Sequence, residues 1–322
     1  MEKVQTIGVL TSGGDAPGMN AAIRSAIRTG LYNNIRMVGI RRGFTGLISG
    51  DIFEMNLRSV KDIIKRGGTI LYSSRCPEFM EKSGVLRGKQ VCEEAGIDGL
   101  MVMGGDGSFK GAAALSELGI PCIGIPCTID NDITSSDYTI GFDTAVNTAV
   151  EMVDRIRDTS QSHDRCSVVE VMGRSAGYIA LQTGISCGAS AILVPEIEPN
   201  FDEIAEKINK SLRNGKQHFI IIVAEGVGDT QKTTKKIEDL VGINTRLSVL
   251  GYVQRGGSPS AKDRAMASYM GHYGVELLLN NKANRVVSYK DGKITDFDLK
   301  KSLTMKKGLD MELYRISNEI SI

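Results

Sequence analysis

The chain has 322 residues, 41% of them hydrophobic, which is enough for one large or two medium domains with real cores. Lys plus Arg number 39 against 38 for Asp plus Glu, so charge gives no ground for a nucleic-acid or membrane-surface partner, and any anion site must be local. No apolar run reaches bilayer-spanning length, and the six cysteines carry no CxxC spacing, so the reading is of reduced thiols in a cytoplasmic protein. His163, His218 and His272 lack metal-ligand spacing and read as surface or packing residues.

In chain order, Thr6–Leu10 predicts a strand, Thr11-Ser-Gly-Gly-Asp15 a glycine turn, and residues from Ala21 to about Tyr32 a helix. Gly13 and Gly14 can bring backbone N–H groups to a phosphate, with the helix dipole behind them. Arg24 and Arg28 share one helix face, as a solvated face or as a grip on a second phosphate. A strand over Arg36–Ile40 and a short helix over Ser59–Lys65 precede the loop Ser73–Pro77, whose Arg75 is either a surface residue or a cation for a transferring phosphate.

A helix over Val85–Ala95 leads to Gly99-Leu-Met-Val-Met103, which reads as a buried parallel strand, and Phe109–Leu115 reads as the next helix. Between them lies Gly104-Gly-Asp-Gly107. Its backbone suits a polyphosphate, and Asp106 among such amides would repel the ligand unless a cation intervened, so it reads as a magnesium contact. The strand Cys122–Ile125 ends at a second cluster, with Thr128, Asp130 and Asp132. Either motif alone also suits an ordinary turn or cap. Their placement at two successive strand ends favours a phosphoryl-transfer site.

A boundary near residue 140 is followed by a helix from Phe142 to about Ser160 and the strand Cys166–Val171. Met172–Gly177 is a third glycine turn opening a helix that runs to about Ser186. Arg165 and Arg174 flank that strand roughly 20 Å or more apart, so both can touch one small ligand only across a subunit boundary. Phe219–Ala224 predicts a buried strand ending at Glu225, a carboxylate for sugar hydroxyls or for capping the turn that follows it. Asn244–Leu250 predicts another strand, with Arg246, Tyr252 and Arg255 as a candidate phosphate grip. A helix over Ala261–Asn280, a strand over Arg285–Tyr289 and a charged, partly helical tail complete the chain. The alternation of strands and helices predicts an α/β, doubly wound parallel sheet.

Thr11–Asp15, Gly67–Leu71 with Arg75, Gly104–Gly107, Thr128–Asp132, Met172–Arg174, Ala224–Gly226 and Val253–Gly257 together resemble the bacterial ATP-dependent 6-phosphofructokinases, from about Val4 to Ile322. The resemblance implies two doubly wound domains, each a mainly parallel sheet flanked by helices, with the active site in the cleft between them. Residues 1–138 plus about 256–305 would bind ATP and Mg²⁺, and 139–255 plus about 306–322 fructose 6-phosphate. The implied general base is Asp130, with Asp132, Thr128, Arg174 and Arg75 beside it. Asp106 is the implied magnesium carboxylate. ATP contacts would come from Gly14, Arg75, Cys76, Gly105, Asp106, Gly107 and Ser108. Sugar-phosphate contacts would come from Thr128, Ile129, Asp130, Met172, Gly173, Arg174, Glu225, Tyr252 and Arg255, with Arg165 and Arg246 donated across an interface of a homotetramer. An effector site for ADP or phosphoenolpyruvate would use Arg24, Arg28, Arg157 and Lys216.

Three departures from that pattern bear on function. Tyr252 stands where most members carry His, exchanging a group that can become cationic for a neutral donor. Cys127 stands where glycine is common; pyrophosphate-dependent relatives resemble Lys there and Asp at Gly107, so their absence implies ATP as donor. Ser190 and Asn214 replace an acidic and a basic effector contact, which implies weakened ADP activation. The alternatives are a pyrophosphate-dependent enzyme, a non-catalytic nucleotide-binding regulatory subunit, and another small kinase such as an NAD kinase. The intact Asp106, Asp130, Asp132 and Arg174 weigh against the regulatory subunit, and the Met-Gly-Arg and Gln-Arg-Gly-Gly segments against the NAD kinase.

Overall fold

Every residue of Thr6–Thr11, Gly99–Gly104 and Cys122–Pro126 is buried in the computed structural model, which describes residues 4–321. Met1 and Ile322, the predicted outer limits of the two domains, lie outside the described residues. Unbroken apolar strands of this kind form where helices cover both faces of a parallel sheet. The strands are β1 (Thr6–Thr11), β2 (Arg36–Ile40), β3 (Ile52–Met55), β4 (Gly99–Gly104), β5 (Cys122–Pro126), β6 (Cys166–Val171), β7 (Ala191–Leu193), β8 (Phe219–Ala224), β9 (Thr245–Val249), β10 (Arg285–Lys290) and β11 (Lys293–Asp298). The helices are α1 (Met19–Tyr32), α2 (Gly43–Ser49), α3 (Lys82–Glu94), α4 (Asp106–Glu117), α5 (Phe142–Gln161), α6 (Tyr178–Ser186), α7 (Phe201–Arg213), α8 (Thr230–Val241), α9 (Ala261–Leu279), α10 (Leu299–Ser302) and α11 (Met311–Ile320).

The chain divides into two units. The first comprises residues up to Ile129, Ile133–Thr144 and Arg255–Lys307. Its sheet has the order β11-β10-β5-β4-β1-β2-β3, parallel except for the edge strands β3 and β11. The order reverses between β1 and β4, the switch point at which open α/β sheets bind ligands beyond their carboxyl ends. The register Thr11↔Met103 and Gly104↔Pro126 brings the ends of β1, β4 and β5 level. Leu10, Val38, Leu100, Val102 and Phe109 belong to one core cluster on this sheet.

The second unit comprises Asp130–Asp132, Ala145–Gln254 and the chain from Gly308 on. Its sheet, β7-β8-β6-β9, is parallel throughout, with Val171↔Ala224 level at the carboxyl ends of β6 and β8. Phe219, Ile221 and Val223 pack with Ala205, Ile208 and Ile237 from α7 and α8. Both helices start on side-chain caps, Asn200 accepting from Glu203 N–H and Asp229 from Lys232 N–H.

Ser59–Lys65, predicted as helix, forms turns instead. Asn56 Oδ1 accepts from the N–H groups of Arg58 and Ser59, offering the backbone a local alternative to the helical ladder. The sequence reading passed over α2, β3, β7, α7, α8, β11 and α10, and it started α4 three residues late. The glycine turn runs straight into that helix, with Gly105 as its N-cap.

Phe109 is fully buried, and a Cβ added at Gly124 would lie 2.7 Å from its ring. Phe109→Ala should therefore destabilise the protein by about 3–5 kcal/mol, read as a lower urea midpoint.

Candidate active site

The first glycine turn lines a cavity of about 450 Å³, together with Asp15, Thr69, Tyr72, Ser73, Ser74, Arg75 and Arg255, all in the first unit. Side chains at the end of β1 and the start of α1 stitch the loop 66–75 to this turn. Thr11 Oγ1 donates to the Tyr72 carbonyl at 2.7 Å, and the Ser73 hydroxyl donates to the Gly13 carbonyl. Asn20 donates to the carbonyls of Arg66 and Gly67 and accepts from Ile70 N–H at 2.8 Å. A Cβ at Gly14 would fall 2.4 Å from Arg255 Nη1, so only glycine leaves the guanidinium in place. Arg75 is exposed and Cys76 half-buried beside it. Two cations, one acid and the open backbone of the glycine turn line this one cavity.

The second turn is pinned to the first. Ser12 N–H donates to the Met103 carbonyl at 2.9 Å, and Ser108 Oγ to the Ser12 carbonyl at 3.1 Å. A Cβ at Gly104 would lie 2.5 Å from that carbonyl oxygen. Ser108 is buried, its hydroxyl donating to the Ser12 carbonyl and its N–H to the Gly105 carbonyl at 2.9 Å. Asp106 and Gly107 occupy the first turn of α4, where the helix favours anions, and a Cβ at Gly107 would meet nothing within 4 Å.

Thr128 and Ile129 follow β5 directly, and Thr139 Oγ1 donates to the Thr128 carbonyl at 2.7 Å. Asp130 and Asp132 are half-buried, and the buried Asn131 between them takes φ +52°, turning the chain sharply. Tyr178 OH is pushed up to about 12 by burial first, then by Glu196 and Asp132. Cys127 is a core residue, 1% exposed, bridged to Ile140, its thiol held neutral by burial.

In the second unit, Glu225 Oε1 accepts from Gly173 N–H at 3.1 Å and Arg174 N–H at 2.6 Å. The carboxylate therefore caps the Met172–Arg174 turn, whereas the sequence offered it as a cap for the turn that follows it in the chain. It holds Arg174 at φ +58°, a conformation costing a non-glycine residue about 1 kcal/mol, with the guanidinium exposed. Met172, Gly173, Arg174 and Glu225 thus meet at the carboxyl ends of β6 and β8. Arg165 and Arg246 belong to the opposite end: Arg165 precedes Cys166, which pairs with Thr245. Tyr252 is 80% exposed, and Arg255 lies beside Gly14 in the first unit.

Arg24 and Arg28 lie on α1 in the first unit. In the second, Arg157 donates to the Cys187 carbonyl, and Lys216 Nζ lies 3.4 Å from Ser190 Oγ and over the Phe219 ring. Burial, then Arg157, lowers the Lys216 pKa. Sequence reading missed Thr69, Tyr72, Ser73 and Ser74 as cavity walls, although their Ser and Thr content, so close to Arg75, was a signal. Among the described residues no group of three or more His, Cys, Asp or Glu gathers for a metal ion, and no helix is long and apolar enough to cross a membrane.

Paired glycine turns at a switch point, an acid at a helix start and cations around one cavity define an α/β protein built to hold a polyphosphate. Residues 6–278 match the family model for phosphofructokinase. The ATP-dependent 6-phosphofructokinase of Finegoldia magna is 53% identical over 319 residues, 99% of this chain and 100% of that protein; that of Clostridium botulinum is 52% identical over 318. Phosphofructokinase from Saccharomyces cerevisiae superimposes with a TM-score of 0.88 at 31% identity, over 98% of this chain and 46% of that one. A pyrophosphate-dependent phosphofructokinase from Marinobacter aquaeolei shares the fold, with a TM-score of 0.85 at 24% identity over 96% and 86% of the two chains. The chain belongs to the phosphofructokinase family.

Burial raises the thiol pKa of Cys92 and Cys166 to about 12 and that of Cys187 to about 11, and raises Cys122 and Cys127 further. Raised values deplete the reactive thiolate. At pH 8 a disulfide reagent should modify Cys76 first in the native protein, Cys187 more slowly, and the other four only after denaturation.

Proposed function

We propose that this protein transfers the γ-phosphoryl group of ATP to the 1-hydroxyl of fructose 6-phosphate, forming fructose 1,6-bisphosphate, the committed step of glycolysis. The observation that carries the reading is the pair of pinned glycine turns with Asp106 behind them and Thr128-Ile-Asp130 at the next strand end. Open space at Gly107 suits ATP, which brings an α-phosphate and nucleoside beyond the two phosphates of pyrophosphate. The same space leaves the pyrophosphate-dependent reading with no observation in its favour.

Gly14, Gly105, Asp106, Gly107 and the Arg75–Cys76 loop hold ATP. Asp106 would hold Mg²⁺, which fits one carboxylate at an anion-binding helix start because Mg²⁺ is usually held by one or two carboxylates plus substrate phosphates. When bound, the ion supplies neutralisation of charge on the phosphate oxygens. Asp130 accepts the proton of the 1-hydroxyl as the sugar oxygen attacks in line. Asp132 and Thr128 orient the acceptor, and Arg75 and Arg174 stabilise the charge on the transferring group. Met172, Gly173, Arg174, Glu225, Ile129, Tyr252 and Arg255 bind the sugar phosphate. Glu225 does so while capping the Arg174 turn. Arg165 and Arg246 stand at the far end of β6 and β9, so they serve a neighbouring subunit of a homotetramer in the cytoplasm. Arg24, Arg28, Arg157 and Lys216 form an anionic effector site. There Ser190 meets Lys216 and offers no carboxylate for a metal-bound nucleotide, so ADP activation is weakened.

A coupled assay with fructose 6-phosphate and Mg²⁺ should show turnover with ATP and none with pyrophosphate, and Asp130→Ala should lower kcat by at least about a hundredfold. Pyrophosphate turnover would sink the donor assignment. Sedimentation should show a tetramer, and Arg246→Ala should raise KM for fructose 6-phosphate with little change in KM for ATP; an unchanged sugar KM rejects the shared site. ADP with Mg²⁺ binding at ordinary family affinity rejects the weakened effector site.

A further inference from the structure

Asp263, in the first turn of α9, is fully buried, yet none of the chemistry above uses it. Its Oδ1 accepts from Tyr138 OH and from Gly141 N–H at 2.7 Å; its Oδ2 accepts from Thr144 Oγ1 and from Thr144 N–H at 2.8 Å. Four donors from one short segment converge on the two oxygens of a single carboxylate. Ser260 fastens the same segment, its N–H donating to Thr144 Oγ1 at 2.9 Å and its hydroxyl to Asp143 Oδ2 at 2.6 Å.

What this segment touches gives the network its meaning. Thr139 Oγ1 donates to the Thr128 carbonyl, Ile140 N–H donates to the Pro126 carbonyl at 2.9 Å, and Ile140 forms a parallel bridge with Cys127. Residues 139–140 are therefore laid along Pro126–Thr128 as an added strand. Cys127 N–H in turn donates to the Gly104 carbonyl at 3.0 Å, at the second glycine turn. On its other side, Gly141 packs against Ala16, one residue past the first turn, where a Cβ would fall 2.7 Å away.

We infer that Asp263 is a positioning residue for the acceptor-side strand end: by gathering Tyr138, Gly141 and Thr144 it fixes the segment that sets where Thr128 and the acid two residues on are presented. The inference rests on the reading of Thr128 and Asp130 as acceptor-side groups. A displacement of about 1 Å in such groups can cost roughly a hundredfold in rate, so a carboxylate that never meets substrate can act strongly on kcat.

Asp263→Asn tests this with almost no change of volume. An amide has one accepting oxygen, and in either orientation its NH₂ faces the N–H of Gly141 or of Thr144 and leaves it without an acceptor. Thr144→Val and Tyr138→Phe remove one hydroxyl each and keep both backbone bonds to Asp263, Thr144→Val also removing the acceptor of Ser260 N–H. The measurements are kcat per folded chain, with folding followed by circular dichroism, and the Kd for Mg·ATP by calorimetry. The expected result is a kcat at least about tenfold lower in Asp263→Asn and severalfold lower in Thr144→Val, with Kd for Mg·ATP within about threefold of the parent. A folded Asp263→Asn with kcat within twofold of the parent overturns the inference, as does equal loss of kcat and Mg·ATP affinity, which marks general disorder. If Asp263→Asn does not fold, the two hydroxyl variants decide, and parental kcat in both rejects the positioning role. Asp130→Asn in the same assay separates the two levels. If it keeps full activity, the acceptor-site reading falls and the inference with it; if it is inactive while the Asp263 variants are not, only the positioning role falls.

Discussion

The contact on which the first unit depends is the approach of two backbones at the switch point. Ser12 donates to Met103, Ser108 donates back to Ser12, and Gly104 passes so close that a methyl group in place of its hydrogen would meet the Ser12 carbonyl. Strand order alone brings β1 and β4 side by side; it does not bring the turns beyond them together. These bonds do, and they hold the start of α4 beside the first turn. Ordinary hydrogen-bond completion, at a place where only glycine fits, thus sets the two turns side by side.

Much of this was legible in the sequence because the signals were local. Apolar runs marked β1, β4, β5, β6 and β8, and glycines followed by helical periodicity marked the turns. The elements passed over had weak or divided signals. β3 and β11 are antiparallel edge strands with partly exposed residues, so neither offers an unbroken apolar run. α7 has its stripe, Phe201, Ile204, Ala205, Ile208 and Leu212, within so charged a helix that composition reads as surface. The opposite error, a helix over Ser59–Lys65, came from ignoring Asn56, whose side chain captures the first N–H groups.

The candidate site was legible to the extent that its chemistry lies in glycines and charged residues at strand ends. The supporting side chains were hidden. Thr69, Tyr72 and Ser73 contribute by closing hydrogen bonds across some sixty positions of sequence, and Asp263 reaches back 119–125 positions to Thr144, Gly141 and Tyr138. No spacing rule carries such pairings. The turn that Glu225 caps was hidden for the same reason, since it lies 51–52 residues upstream rather than next to it.

Charge is arranged on the same principle of local completion. With a net charge of +1, the chain has no long-range field with which to gather a polyanion, so attraction must come from what surrounds the ligand once it arrives. Arg75 and Arg255 line the cavity of the first turn together with one acid, Asp15, and a second acid, Asp106, stands in the first turn of α4. An excess of cations would bind any phosphate tightly before and after transfer alike. An acid beside each glycine turn instead penalises a bare anion, so in the proposed function a site of modest charge would favour a polyphosphate that carries its own metal ion over free phosphate.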